Sequence, residues 1–125
     1  DYLLIDTHPG LNEETLLSIT ISDILLLILR PDRQDFQGTA VTVDVANKLG
    51  VPNLFLIVNK VPSGITAADL EAQMLEAYGE KTAAVLPLSE EVVQNASKGL
   101  FSLTSPDNAW SAQIRRIAET VKGVN

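Results

Sequence analysis

Cysteine is absent from the 125 residues. That removes disulfides, thiolate metal sites and iron–sulfur clusters together. The single histidine, His8, leaves too little for a Ser–His–Asp triad or a histidine-based metal cluster. Long apolar runs are missing too: the longest, Ile24 to Leu29, falls far short of the ~20 residues that span a bilayer. No secretory signal pattern opens the chain. Basic residues are the minority, nine Lys and Arg against sixteen Asp and Glu, and the net charge is −7. A dominant polyanion-binding surface is therefore not expected. There is no internal repeat and no low-complexity tract. Nor does a G-x-x-x-x-G-K-[ST] pattern occur, so the chain has no loop of the kind that cradles phosphates with backbone N–H groups and a lysine.

What is present suits one folded domain. Hydrophobic residues make up 46% of the chain, which excludes wholesale disorder. Tyr2–Ile5, Ile24–Leu29, Leu54–Val58 and Ala83–Leu86 are short continuous apolar runs, the pattern of strands buried on both faces of a parallel sheet. Helices are expected between them. Asn12 can cap the first, with Glu13 and Glu14 in its opening turn. Residues 33–49 carry both an alternating Val41-Val43-Val45 signal and a helical Phe36-Ala40-Val43-Asn47 one. Length and the Gly50–Pro52 stop favour helix. Thr66 caps a helix with Leu70, Met74 and Tyr78 on one stripe, ended by Gly79, and Ser89 begins a brief helix that ends near Gly99. Ser105-Pro106-Asp107 reads as the start of a last helix with a Trp110, Ile114, Ile117, Val121 stripe. Alternating strands and helices define an α/β class with a three-layer, mainly parallel sheet. The chain starts with Asp1 rather than Met and at once enters an apolar run, so it is expected to be a piece of something longer.

In an open parallel sheet, ligands bind beyond the carboxyl ends of the strands. Asp6 closes the first apolar run, and a strand-end carboxylate is a hard ligand suited to holding Mg²⁺ through water. Gly10 comes next, at a distance that lets a backbone N–H approach a terminal phosphate. After the third run come Asn59 and Lys60; the asparagine amide offers the donor and the acceptor that a purine edge needs. Pro62 stands where guanine-specific proteins place an aspartate, so adenine fits better than guanine. Arg30, Asp32, Arg33 and Asp35 alternate in sign, either as a solvated salt-bridged loop or as contacts across a dimer.

Together these segments resemble the ParA/MinD-type partitioning ATPases, a deviant Walker branch of the P-loop nucleoside triphosphatases. Tyr2-Leu3-Leu4-Ile5-Asp6-Thr7-His8-Pro9-Gly10 is similar to their switch II strand and loop. Phe55-Leu56-Ile57-Val58-Asn59-Lys60 is similar to the strand end that meets adenine, and residues 86–99 to the adenine loop and its helix. The resemblance spans essentially the whole chain. It implies a P-loop-type fold and a homodimer that binds and hydrolyses ATP to ADP with Mg²⁺ in the cytoplasm. It also implies an activating partner protein and a positioned cargo such as a chromosome, plasmid or septum. Asp6 would hold Mg²⁺ through water, Gly10 would sense the γ-phosphate, and Asn59 and Lys60 with Pro87 and Ser89 would line the adenine site. Ser89 departs from the aspartate many members carry there. Members bind DNA through basic residues near the last helix, where this chain has Arg115 and Arg116. A membrane role is not expected, since Lys122-Gly123-Val124-Asn125 is too short a tail after Val121 for a terminal amphipathic helix. The family's phosphate loop lies amino-terminal to the matched segments. The chain is therefore expected to be the carboxy-terminal half of such an ATPase, inactive alone. The rival expectation is a non-catalytic interaction module on the same fold.

Overall fold

The computed structural model describes residues 1–124. Its centre is a three-stranded, wholly parallel sheet in the order β1 (Ile24–Leu29), β2 (Asn53–Val61), β3 (Lys81–Pro87). Helices α1 (Glu13–Ile21), α2 (Arg33–Leu49), α3 (Ala67–Tyr78), α4 (Glu90–Asn95), α5 (Phe101–Thr104) and α6 (Ala109–Lys122) alternate with or come after the strands. Parallel strands need crossovers, and α2 and α3 provide them.

Most helices start where a side chain can take an orphan N–H. Asn12, Asp32, Thr66 and Ser89 accept from the third residue on, the N-capping geometry. Gly50 and Gly79 end α2 and α3 at φ 77° and 70°, a left-handed turn that costs a residue without Cβ little.

Two apolar clusters make the layers. Leu54, Leu56, Val58 and Val85 of the sheet meet Val43 and Ala46 of α2, Leu70 and Met74 of α3 and Ile19 of α1 on one face. On the other, Ile57, Ala83 and Leu86 meet Trp110, Ile114 and Ile117 of α6. The helical reading of residues 33–49 holds, but its buried positions are Thr39, Val43 and Ala46, and Ala40 is exposed.

Three expectations need correction. The run Tyr2–Ile5 is not a strand: it pairs with nothing among the described residues, and Leu3 and Leu4 are 87% and 83% exposed. A continuous apolar run says that a segment would tolerate burial on both faces, but a strand also needs a neighbour to bond. The last helix begins at Ala109 rather than at Ser105. Ser105 closes α5, and Asn108 caps α6 by accepting from the Trp110 N–H at 2.9 Å. The brief helix α4 stops at Asn95, because Ala96 turns left-handed at φ 46° and ends it ahead of Gly99.

Candidate functional site

The carboxyl ends of β1, β2 and β3 lie at one end of the sheet; Asn59 and Lys60 are near the end of β2, Pro87 closes β3 and Ser89 follows it. At the end of β2 the chain bulges between Val58 and Val61. Lys60 sits inside this bulge at φ 56°, a left-handed conformation that costs a residue with a Cβ about 1–2 kcal/mol. Asn59 supports it, its Oδ1 accepting from the Lys60 N–H at 2.9 Å. That bond engages the amide oxygen and leaves the Nδ2 donors as the part of Asn59 able to meet a base. Beyond the bulge the ladder resumes: Val61 registers with Pro87, and the Leu88 N–H donates to the Val61 carbonyl at 2.8 Å. Asn59, Lys60, Pro87 and Ser89 are thus drawn together by the pairing of β2 with β3. The Ser89 Oγ accepts from the Val92 N–H at 3.3 Å, so its first duty is to cap α4, and its hydroxyl proton is what remains for a ligand.

The second group lies ahead of α1. Residues 1–8 carry no regular structure, and Pro9–Gly10 forms a bend with Gly10 at φ 96°. A side chain at position 10 would meet no steric neighbour, so the glycine answers to backbone conformation alone. Thr15 anchors the loop from inside the helix, its Oγ1 donating to the His8 carbonyl at 3.4 Å. Asp6, Thr7 and His8 line a pocket of about 230 Å³ with Glu14, Thr15 and Ser18. The same segment forms one wall of a larger cleft of about 850 Å³, whose other wall is β1. Glu14, Thr15 and Ser18 are site-lining residues that the sequence did not single out. The spacing of Thr15, Ser18 and Ser22 on one helical stripe was the available signal.

These two groups do not share a cavity: neither cleft is lined by both Asp6 and Asn59. Among the described residues no cluster of three or more His, Cys, Asp or Glu could hold a metal ion. An exposed carboxylate such as Asp6, with hydroxyls across a small pocket, does fit Mg²⁺, which keeps most of its water and takes one or two carboxylates. A triphosphate fits less completely, because the phosphate cradle is not in this sequence.

The charged loop after β1 is an internally closed pair. The Arg30 guanidinium reaches both Asp35 oxygens at 3.2 Å, and its backbone N–H donates to Asp35 Oδ2 at 2.8 Å. These hydrogen bonds hold the Asp35 carboxyl below its ordinary range and raise Arg30. Asp32 also approaches Arg30, at 3.4 Å, while capping α2. The arginines of α6 are engaged as well: Arg116 pairs with Glu71 at 2.9 Å, and Arg115 donates to the Pro106 carbonyl at 2.6 Å. No helix among the described residues is long and apolar enough to cross a membrane.

No family model and no curated protein matches the sequence. Solved structures do match the fold. The chain is similar to the MinD cell division protein of Aquifex aeolicus at 14% identity with a TM-score of 0.75, over 93% of this chain and 50% of that one. It is also similar to the MinC:MinD cell division protein complex of Aquifex aeolicus at 13% identity and a TM-score of 0.78, over 93% of this chain and 49% of that one. The fold is therefore the MinD-like, P-loop-type α/β fold, and the chain spans about half the length of the solved structures it matches.

Proposed function

We propose that this chain is the carboxy-terminal part of a ParA/MinD-like ATPase, which binds and hydrolyses ATP with Mg²⁺ and dimerises to position a cellular cargo. The reading is supported by the MinD-like parallel sheet, whose carboxyl end carries Asn59 near the end of β2 and Pro87 at the end of β3, with Asp6 and Gly10 on the segment ahead of α1. Within it, Asp6 holds a water of the hydrated cation, and the Gly10 N–H lies on a turn able to approach the terminal phosphate. Magnesium, when bound, supplies charge stabilisation to the phosphoryl group. The Asn59 amide donates to the acceptor nitrogens of adenine, and Pro87 and Ser89 bound the base on the side of β3. The neighbour solved with MinC supports a protein partner for the complete protein. Internal pairing of Arg115 and Arg116 gives DNA contact through α6 little support.

The test is Mg²⁺-dependent ATP hydrolysis by the complete gene product, compared with Asp6→Asn. Loss of at least tenfold in kcat with nucleotide binding retained is expected. Unchanged turnover would overturn the role of Asp6, and no turnover in the unaltered protein would overturn the ATPase reading. A non-catalytic interaction module on the same fold is favoured by one observation, the missing phosphate loop, and it wins in that last case.

A further inference from the structure

Arg30 follows directly on the last residue of β1, at the carboxyl end of the sheet. Two carboxylates hold its guanidinium: Asp35 through Nε and Nη2 at 3.2 Å each, and Asp32 at 3.4 Å. Neither carboxylate depends on the guanidinium for its place. Asp35 Oδ2 also accepts from the Arg30 backbone N–H at 2.8 Å, and Asp32 Oδ1 caps α2 by accepting from the Asp35 N–H at 2.9 Å. The Arg30 side chain is therefore the one member of the cluster that can leave without unravelling the loop. It is 54% exposed, and an exposed ion pair of this kind opens at little cost.

The position of the cluster gives that freedom a use. Gln34 and Asp35 line the same cleft of about 850 Å³ as Asp6 and Gly10. A carboxylate facing this space repels a phosphate unless a cation stands against it, and for Asp35 that cation is Arg30. Lys60, near the end of β2, lines neither this cleft nor the smaller pocket beside Asp6. We propose that Arg30 is a ligand of the nucleotide's terminal phosphate, held by Asp35 and Asp32 until that phosphate binds between Asp6 and the start of α2. The proposal rests on the ATPase reading of the chain. A guanidinium forks a phosphate as it forks a carboxylate, through two parallel charge-assisted N–H···O bonds. In the exchange Arg30 replaces a carboxylate with a phosphate, while Asp35 keeps the Arg30 backbone N–H. A diphosphate lacks the group that draws Arg30 away and leaves the pair closed. The cluster thus reads which nucleotide is bound.

The test uses the complete gene product with a non-hydrolysable Mg²⁺–ATP analogue and with Mg²⁺–ADP. Arg30→Gln should weaken binding of the analogue about tenfold, the scale of one charge-assisted bidentate contact, and leave Mg²⁺–ADP unchanged. Asp35→Asn should act in the opposite direction and tighten the analogue about threefold, because Arg30 then has a weaker rival for its fork. Placed on top of Arg30→Gln, it should change nothing further. A gain that persists there reflects only the removal of a negative charge and would overturn the proposal. So would equal losses in the two single variants, the result expected of a pair that merely staples the loop. Nitrogen-15 NMR of the unaltered protein at neutral pH needs no variant to fold. The Arg30 Nε resonance should move with the analogue and stay in place with Mg²⁺–ADP, and a resonance that responds to both alike, or to neither, overturns the proposal. Failure of the unaltered protein to bind the analogue would overturn the ATPase reading and this proposal together. Binding that ignores Arg30 would overturn this proposal alone.

Discussion

Ser111 is fully buried in α6, at 0% exposure, and its hydroxyl has no hydrogen-bond partner among the described residues. A typical substitution destabilises by about 1 kcal/mol, but replacing this serine with alanine should do the reverse. Desolvating a hydroxyl without a compensating bond costs about 1–3 kcal/mol by mutational measures, and that cost disappears with the Oγ. Alanine also gains up to about 0.5 kcal/mol of helix propensity. Against this stands the small void left by one oxygen, worth a few tenths of a kcal/mol at about 24 cal/mol per Å³. The net expectation for Ser111→Ala is a gain of about 1 kcal/mol. In a domain of this size that is a Tm rise of roughly 3–6 °C. Urea unfolding monitored by far-UV circular dichroism reads it as a higher midpoint at unchanged slope. A loss of 1 kcal/mol or more would show that the hydroxyl is bonded in solution and would refute the packing described for α6 against β3.

Further expectations come from the same geometry. Lys60→Gly removes left-handed strain of about 1–2 kcal/mol and adds about 0.5–1 kcal/mol of unfolded-state entropy, so it should stabilise by about 0.5 kcal/mol. A destabilisation in the same urea assay would mean that the Lys60 side chain holds the bulge. Asp35 has a folded pKa lowered first by the Arg30 side-chain hydrogen bond, then by the Arg30 backbone N–H. Its contribution is therefore present above the ordinary aspartate range near pH 3.9 and lost as pH falls through the depressed value. Asp35→Asn should flatten the acid limb of a stability–pH profile, and an unchanged limb would contradict the pairing. Met74→Ala, at a position with no exposure between α3 and the sheet, should cost about 2–5 kcal/mol. A cost below 1 kcal/mol would place Met74 outside the core.

Much of the fold could be read from local chemistry because local chemistry decides it. Asn12, Thr66 and Ser89 cap the helices they precede, and the three apolar runs that became strands do so within three residues at each end. The failures share another cause. Tyr2–Ile5 has the composition of a buried strand, but pairing depends on a neighbour that no property of those four residues can provide. Ser105-Pro106 is a sound start signal that lost to Asn108, because the four-residue turn Phe101–Thr104 needed Ser105 as its end and Phe101 sits edge-on against Trp110 at 5.8 Å. For the candidate site, the proximity of Asn59 and Pro87 comes from strand order alone. The left-handed Lys60 is a product of the bulge and could not be anticipated from residue type.

The proposed ATPase role gives this chain the adenine- and cation-facing residues, with no phosphate cradle in its sequence. Calorimetric titration of Mg²⁺–ATP into the complete gene product and into the 125-residue chain tests it directly. The account predicts saturable binding by the complete protein and affinity at least about tenfold weaker, a difference of about 1.4 kcal/mol or more, for the chain alone. Equal affinity in the two, or no binding by the complete protein, would contradict it.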